Sequence, residues 1–188
     1  MAMTGLLLAG GRSTRMGRDK AWLEFEGKPL AGRTLRVLRS VCDEVLIASG
    51  DGERLGELRL PQVADVVPDA GPLAGIVAGL EAASHELVAV LAVDMPYASA
   101  DVFRLLGERR NGEDAVLPVT ARGVEPLHAI YSKAAALALR RAFEAGTRSV
   151  QEALRVLTTA EMTEEEWRAA DPTARFAENV NLPEDLPT

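Results

Sequence analysis

Leu87-Val-Ala-Val-Leu-Ala-Val-Asp94-Met-Pro96 decides the architecture. Seven apolar residues from Leu87 to Val93, with no polar alternation, describe a strand covered on both faces, as in a parallel sheet flanked by helices. The run ends on a carboxylate, so the strand delivers Asp94 to the edge where open α/β sheets bind their ligands.

Outward from this run, short apolar segments bounded by Gly, Asp and Pro recur along the chain, and segments of helical spacing separate them. The strand candidates are Thr4–Ala9, Glu44–Ala48, Gln62–Val67, Leu87–Val93, Asp114–Pro118 and Leu127–Tyr131. Pro72 after Gly71, Ser99 before Asp101–Leu106, and Ser149 followed three residues later by Glu152 mark helix starts. Lys133–Ala145, rich in Ala and Leu, reads as a helix throughout. The pattern predicts an α/β fold: one domain over residues 1–188, with a mostly parallel sheet and helices on both faces. No repeat or low-complexity tract interrupts it.

Composition narrows the function classes. A formal net charge of −7 over 188 residues opposes a nucleic-acid-binding surface, which needs clustered Lys and Arg. Cys42 is the one cysteine, which excludes an intrachain disulfide and a Cys-based zinc site and fits a reducing, cytoplasmic setting. The apolar run Leu6–Ala9 is too short for a membrane span or a signal-peptide core, so no membrane association is expected.

Basic residues are therefore local tools, and they gather in Gly5-Leu-Leu-Leu-Ala-Gly-Gly-Arg-Ser-Thr-Arg15-Met-Gly-Arg-Asp-Lys20. Here a strand runs into glycines and then into cations. Glycines let a backbone approach an anion closely, and Arg15 and Lys20 supply charge that neutral donors lack, so phosphate is the expected ligand. The spacing matches neither a Walker A loop nor Gly-x-Gly-x-x-Gly.

Asp94, facing a triphosphate bound in that loop, suits Mg²⁺, which combines few carboxylates with phosphate oxygens. Asp65 precedes Gly71-Pro-Leu-Ala-Gly75 and can accept hydrogen bonds from a sugar or a base, while the helix start behind it suits anions. Asn179 and Asn181, at i and i+2, share one face if extended; the same spacing also describes a turn before Pro183. His85 and His128 have no nucleophile partner in the sequence, and His128, inside an apolar run, reads as packed. Trp22 and Trp167 read as partly buried packing, and Thr163 with Glu164–Glu166 as a solvated first helical turn.

Assembled, these motifs resemble the molybdenum cofactor guanylyltransferase family over nearly the whole chain. Leu8-Ala-Gly-Gly-x-Ser-x-Arg-Met-Gly-x-Asp-Lys20 is similar to its signature, and Gly27-Lys-Pro-Leu30, Gly71–Gly75, Asp94-Met-Pro96, Glu125-Pro-Leu127 and Asn179–Asp185 follow in the family's order. The resemblance implies a Rossmann-like nucleotidyltransferase fold. It implies GTP contacts from Leu8, Ala9, Gly10, Gly11, Lys20, Asp65 and Asp94, with Mg²⁺ on Asp94, Lys20 and Arg15 in catalysis, and Asn179 and Asn181 toward the acceptor. GTP and molybdopterin are the implied substrates, with transient contacts to other molybdenum cofactor proteins and acceptor molybdoenzymes. Ala48-Ser-Gly50 stands where relatives can carry an Asn near the base. The alternatives are a sibling enzyme using CTP on the pterin or a nucleoside triphosphate on a sugar phosphate, and a non-catalytic cofactor-assembly protein.

Overall fold

The computed structural model describes residues 2–10 and 19–180; Gly11, Arg15 and Asn181 lie outside them. In chain order the strands are β1 (Met3–Leu8), β2 (Glu24–Phe25), β3 (Lys28–Pro29), β4 (Glu44–Gly50), β5 (Gln62–Ala64), β6 (Leu87–Ala92), β7 (Ala115–Thr120), β8 (Gly123–Val124), β9 (His128–Ser132) and β10 (Thr159–Met162). Interleaved are the helices α1 (Leu30–Val41), α2 (Pro72–Ala82), α3 (Ala100–Arg109), α4 (Ala135–Glu144), α5 (Val150–Ala153) and α6 (Glu164–Trp167).

The main sheet runs β10-β7-β9-β6-β1-β4-β5, with β8 paired to β7, while β2 and β3 form a separate hairpin. β1 pairs in parallel with β4 on one side and β6 on the other, and β10 is parallel to β7. β9 alone on this path runs against its neighbours, pairing antiparallel with both β6 and β7. The chain leaves β1 toward β4 and β5, then returns past it to β6. The strand order therefore reverses beside β1, and the carboxyl ends of β1 and β6 flank a crevice.

Both faces of the central strands are buried, as the continuous apolar runs require. Along β6, Leu87, Ala89 and Leu91 join one apolar cluster, while Val88 and Val90 join the other across the sheet. In β1, Leu7 packs with Leu35, Leu38 and Phe103 on the first face, and Leu6 and Leu8 pack with Ile76, Leu80 and Tyr131 on the second. Helix α2 lies so close to β1 that a Cβ added at Gly79 would sit 2.2 Å from Leu6 Cδ2.

Of the expected helix starts, Ser99 and Ser149 supply side-chain caps, whereas Gly71 before Pro72 supplies none. Ser99 Oγ accepts from Val102 N, and Ser149 Oγ accepts from Glu152 N. Thr163 and Glu166 form a reciprocal capping box at α6, which places the acidic run in a solvated first turn. Trp167 is buried and its Nε1 donates to Val119 O at 2.9 Å; Trp22 stays partly exposed.

Some boundaries differ from the sequence expectation. β5 stops at Ala64 rather than Val67, because its partner β4 ends at Gly50, whose O accepts from Asp65 N as the last cross-strand bond. β7 continues past Pro118 to Thr120, since Pro118 O accepts from Glu125 N and the chain hairpins into β8. β10 and the β2–β3 hairpin have no counterpart among the expected strands.

His128 is fully buried, as its apolar context predicts. Its ring stacks on Phe103 with centroids 3.9 Å apart and meets the edge of Phe176, while Nε2 accepts from Ser99 N at 3.2 Å. Burial pulls its pKa from 6.5 down to about 3, against small opposing effects from backbone and Asp171. The imidazole is thus neutral in the folded protein.

Two predictions follow from this packing. Gly79→Ala adds a methyl where Leu6 already stands, and ~1–3 kcal/mol of overpacking outweighs the ~1 kcal/mol helix preference of Ala; urea unfolding should show a net loss, and a variant as stable as the parent contradicts the close approach. For His128, the folded pKa lies below the unfolded one, so its contribution is intact above pH 6.5 and is lost as pH falls toward 3. Stability should then decline by up to ~1.4 kcal/mol per pH unit from this group, and His128→Phe should flatten that slope. Equal slopes in parent and variant would exclude it.

Candidate active site

The carboxyl ends of the parallel strands open into a cleft of about 700 Å³ lined by Leu8, Ala9, Gly10, Lys20, Asp65 and Asp94, with Ala48, Gly71 and Gly75 among the other walls. Backbone hydrogen bonds fix its floor: Ala9 N donates to Ala48 O at 2.9 Å and Val93 N to Leu8 O at 3.0 Å. The run Leu8–Gly10 is thereby clamped between β4 and the end of β6. Gly71, the residue before α2, has φ +88°, a conformation open to glycine, so the chain can turn Pro72 and the helix start into the cleft.

Lys20 Nζ lies 3.1 Å from Asp94 Oδ2, with both side chains about one-fifth exposed. The lysine is carried by a single 3-10 turn, Lys20–Trp22, whose cap is Asp19: its Oδ1 accepts from Ala21 N at 3.0 Å. A cation and a carboxylate at contact distance, with a glycine-lined edge beside them, suit a phosphate that brings its own counter-ion.

Asp65 closes the other end. Its Oδ1 is buried and finds no hydrogen-bond partner among the described residues. Space around it exists only because its neighbours lack side chains: a Cβ at Gly10 would stand 3.1 Å from Oδ2, and one at Gly75 3.2 Å from Oδ1. Burial raises the Asp65 pKa above 3.8; Arg54 pulls it back, and Asp69 and Asp51 push it further up.

Asn179 is exposed and does not line the cleft, but its neighbour Val180 donates from N to Asp94 O at 2.8 Å, which ties this C-terminal stretch to the metal-site candidate. The structure thus brings Leu8, Ala9, Gly10, Lys20, Asp65 and Asp94 together and leaves Asn179 exposed, outside the lining. Sequence reasoning did not single out Asp19 or Arg54. Arg54 donates from Nη2 to Ala9 O, and its Nε is 3.2 Å from Asp19 Oδ2. In the polar turn Asp51-Gly-Glu-Arg54 no local pattern distinguishes it; only the fold brings it to the loop.

The family model of the MobA-like NTP transferase domain matches residues 5–162, the stretch that holds Leu8–Gly10, Lys20, Asp65 and Asp94. The chain belongs to the MobA-like NTP transferase family. A protein of Chloroflexus aggregans named "Probable molybdenum cofactor guanylyltransferase" is 36% identical over 99% of this chain and 92% of its own. One of the same name from Opitutus terrae is 41% identical over 98% and 93%. The crystal structure of molybdopterin-guanine dinucleotide biosynthesis protein A from Archaeoglobus fulgidus superposes with a TM-score of 0.82 at 28% identity, covering 97% of this chain and 94% of that one. As a MobA-like NTP transferase the chain is a nucleotidyltransferase with a Rossmann-like fold.

Nucleotidyltransferases of this kind work with a divalent metal. Among the described residues no group of three or more His, Cys, Asp or Glu could hold one alone. A hard cation can complete its shell from phosphate oxygens and water around a single carboxylate, and Asp94, in the cleft beside Lys20, is the candidate to hold one. No helix among the described residues is long and apolar enough to cross a membrane.

The raised pKa of Asp65 gives a sign that can be tested. A carboxylate whose folded pKa is raised contributes most below its unfolded value of 3.8 and loses that contribution as pH rises through the folded pKa. Relative to the parent, Asp65→Asn should therefore gain thermal midpoint between pH 4 and pH 7; a difference independent of pH would show that the site does not penalise the ionised form.

Proposed function

We propose that this protein transfers GMP from GTP to the terminal phosphate of molybdopterin, releasing pyrophosphate. The observation that carries the reading is the meeting of Leu8–Gly10, Lys20 and Asp94 at the β1–β6 crevice, in a chain whose relatives bear the guanylyltransferase name. The acceptor phosphate attacks the α-phosphorus in line; one P–O bond forms as the bond to the β-phosphate oxygen breaks. The acceptor phosphate is already ionised, so no general base is needed.

The chain's own work is positioning and charge compensation. The Leu8–Gly10 backbone and Gly11 approach the phosphates, Lys20 and Arg15 take up charge that develops on them, and Asp94 would hold Mg²⁺. When bound there, Mg²⁺ supplies Lewis-acid polarisation of the phosphoryl group. Asn179 and Asn181 serve the acceptor side.

Guanine selection falls to Asp65. Guanine presents two adjacent N–H donors, N1–H and the N2 amino group, and the unpartnered Oδ1 of Asp65 calls for a donor of that kind. Ala48 lines the same cleft and contributes no polar atom, which leaves CTP on the same pterin as the second reading. The setting is the cytoplasm. There the half-buried Cys42, its thiol pushed up to about 12, stays protonated and unreactive. Contacts with molybdenum cofactor proteins and acceptor molybdoenzymes are transient.

The test is pyrophosphate release with Mg²⁺ and molybdopterin, comparing GTP, CTP, ATP and UTP. GTP preference supports the reading, CTP preference moves the protein to the sibling branch, and no release with any nucleotide rejects catalysis on this acceptor. Lys20→Ala should lower turnover by ~10²–10³-fold, the scale of one removed charge-stabilising group, with its thermal midpoint unchanged. Asp94→Asn should shift the Mg²⁺ titration to higher concentration; superimposable titrations would remove Asp94 from metal binding.

A further inference from the structure

Arg54 stands outside every motif that carries the family likeness, yet it touches the phosphate loop at both of its ends. One guanidinium nitrogen donates to the carbonyl of Ala9, immediately before Gly10, and Nε sits 3.2 Å from Asp19 Oδ2, immediately before Lys20. Both side chains are about one-fifth exposed. Nε is buried and makes no hydrogen bond among the described residues, so its contact with Asp19 is ionic and off the N–H axis.

The arrangement is held from below. Asp51 Oδ1 accepts from Glu53 N and Arg54 N, at 3.0 and 2.9 Å, which fixes the backbone that launches the arginine. Asp19 divides its two oxygens between two tasks. Oδ1 caps the turn that bears Lys20, and Oδ2 faces Arg54. Arg54 is also the main opposing charge on Asp65 at the far wall of the cleft. One cation thus links the strand end, the lysine turn and the base-side carboxylate.

We propose that Arg54 is a positioning residue of the transfer reaction, one that clips the two ends of the phosphate loop together through Ala9 and Asp19 and so sets Lys20 against Asp94. The inference rests on the nucleotidyltransfer reading for its kinetic arm and on geometry alone for its structural arm. Arg suits the task because a planar fork reaches two acceptors at once, whereas Lys is a single point charge.

The test uses Arg54→Gln, Arg54→Lys, Lys20→Ala and the Arg54→Gln/Lys20→Ala double variant in the full chain. Arg54→Gln should lower kcat/KM for GTP by up to ~10²-fold, carried by kcat, since a misplacement of about 1 Å has that scale. Arg54→Lys should recover part of it. In the Lys20→Ala background the Arg54→Gln change should have almost no further effect, because the two act as one unit; additive losses would overturn the proposal.

The structural arm reads the lysine turn directly. Trp22 lies in that turn and is 37% exposed, whereas Trp167 is 1% exposed, so acrylamide quenching reports mainly on Trp22. Arg54→Gln should increase the quenching at an unchanged thermal midpoint. Unchanged quenching would overturn the clip even if the parent proved inactive toward every nucleotide. Inactivity of the parent with increased quenching in the variant would instead retain the clip and reject the reaction assigned to it.

Discussion

Val93 N donates to Leu8 O at 3.0 Å, continuing the parallel pairing that ends with Leu8 opposite Ala92. The site depends on this rung. Parallel strands share a direction, so pairing β1 with β6 brings the two carboxyl ends to one edge, and the residues that follow each strand must meet. One strand is followed by glycines and the Lys20 turn, the other by Asp94. The contact of Lys20 and Asp94 across 74 positions of sequence is a consequence of this register.

Two-sided burial makes the register unambiguous. A shift of β6 by one residue would exchange Leu87, Ala89 and Leu91 with Val88 and Val90 between clusters of different shape. The close seat of α2 on β1 adds a second constraint, because Gly79 leaves room only for Leu6. The same helix begins beside Asp65, so its packing against the sheet also shapes the cleft, through Gly75.

Electrostatically the cleft pairs its cations in advance. Lys20 faces Asp94 and Arg54 faces Asp19, while Asp65 and Asp69 add negative charge on the same walls. Among the described residues the lining of the cleft therefore carries more carboxylates than cations, in a protein of net charge −7. On β9, which pairs with β6, His128 accepts from Ser99 N and so holds the loop after Asp94, while Val180 N donates to Asp94 O and ties residues near 180 to the carboxylate's own backbone.

Much of this was legible in the residues themselves. The run Leu87–Val93, the helix starts at Pro72, Ser99 and Ser149, the packed His128, and the candidates Lys20, Asp65 and Asp94 follow from local periodicity, capping chemistry and charge, which act between residues near in sequence. The strand β10, with its Thr159-Ala-Glu-Met162 composition, carried no such signal, because an edge strand is specified by its neighbour β7. The antiparallel course of β9 and the clip formed by Arg54 were equally hidden. The sequence by itself determined the central strands, the helix starts and which side chains are candidates for phosphate and metal. Only the tertiary structure decided that Asp65 is a partly desolvated carboxylate, that Arg54 bridges Ala9 and Asp19, and that Asn179 stays outside the cleft lining, because desolvation and contact between residues tens of positions apart exist only once the sheet has been assembled.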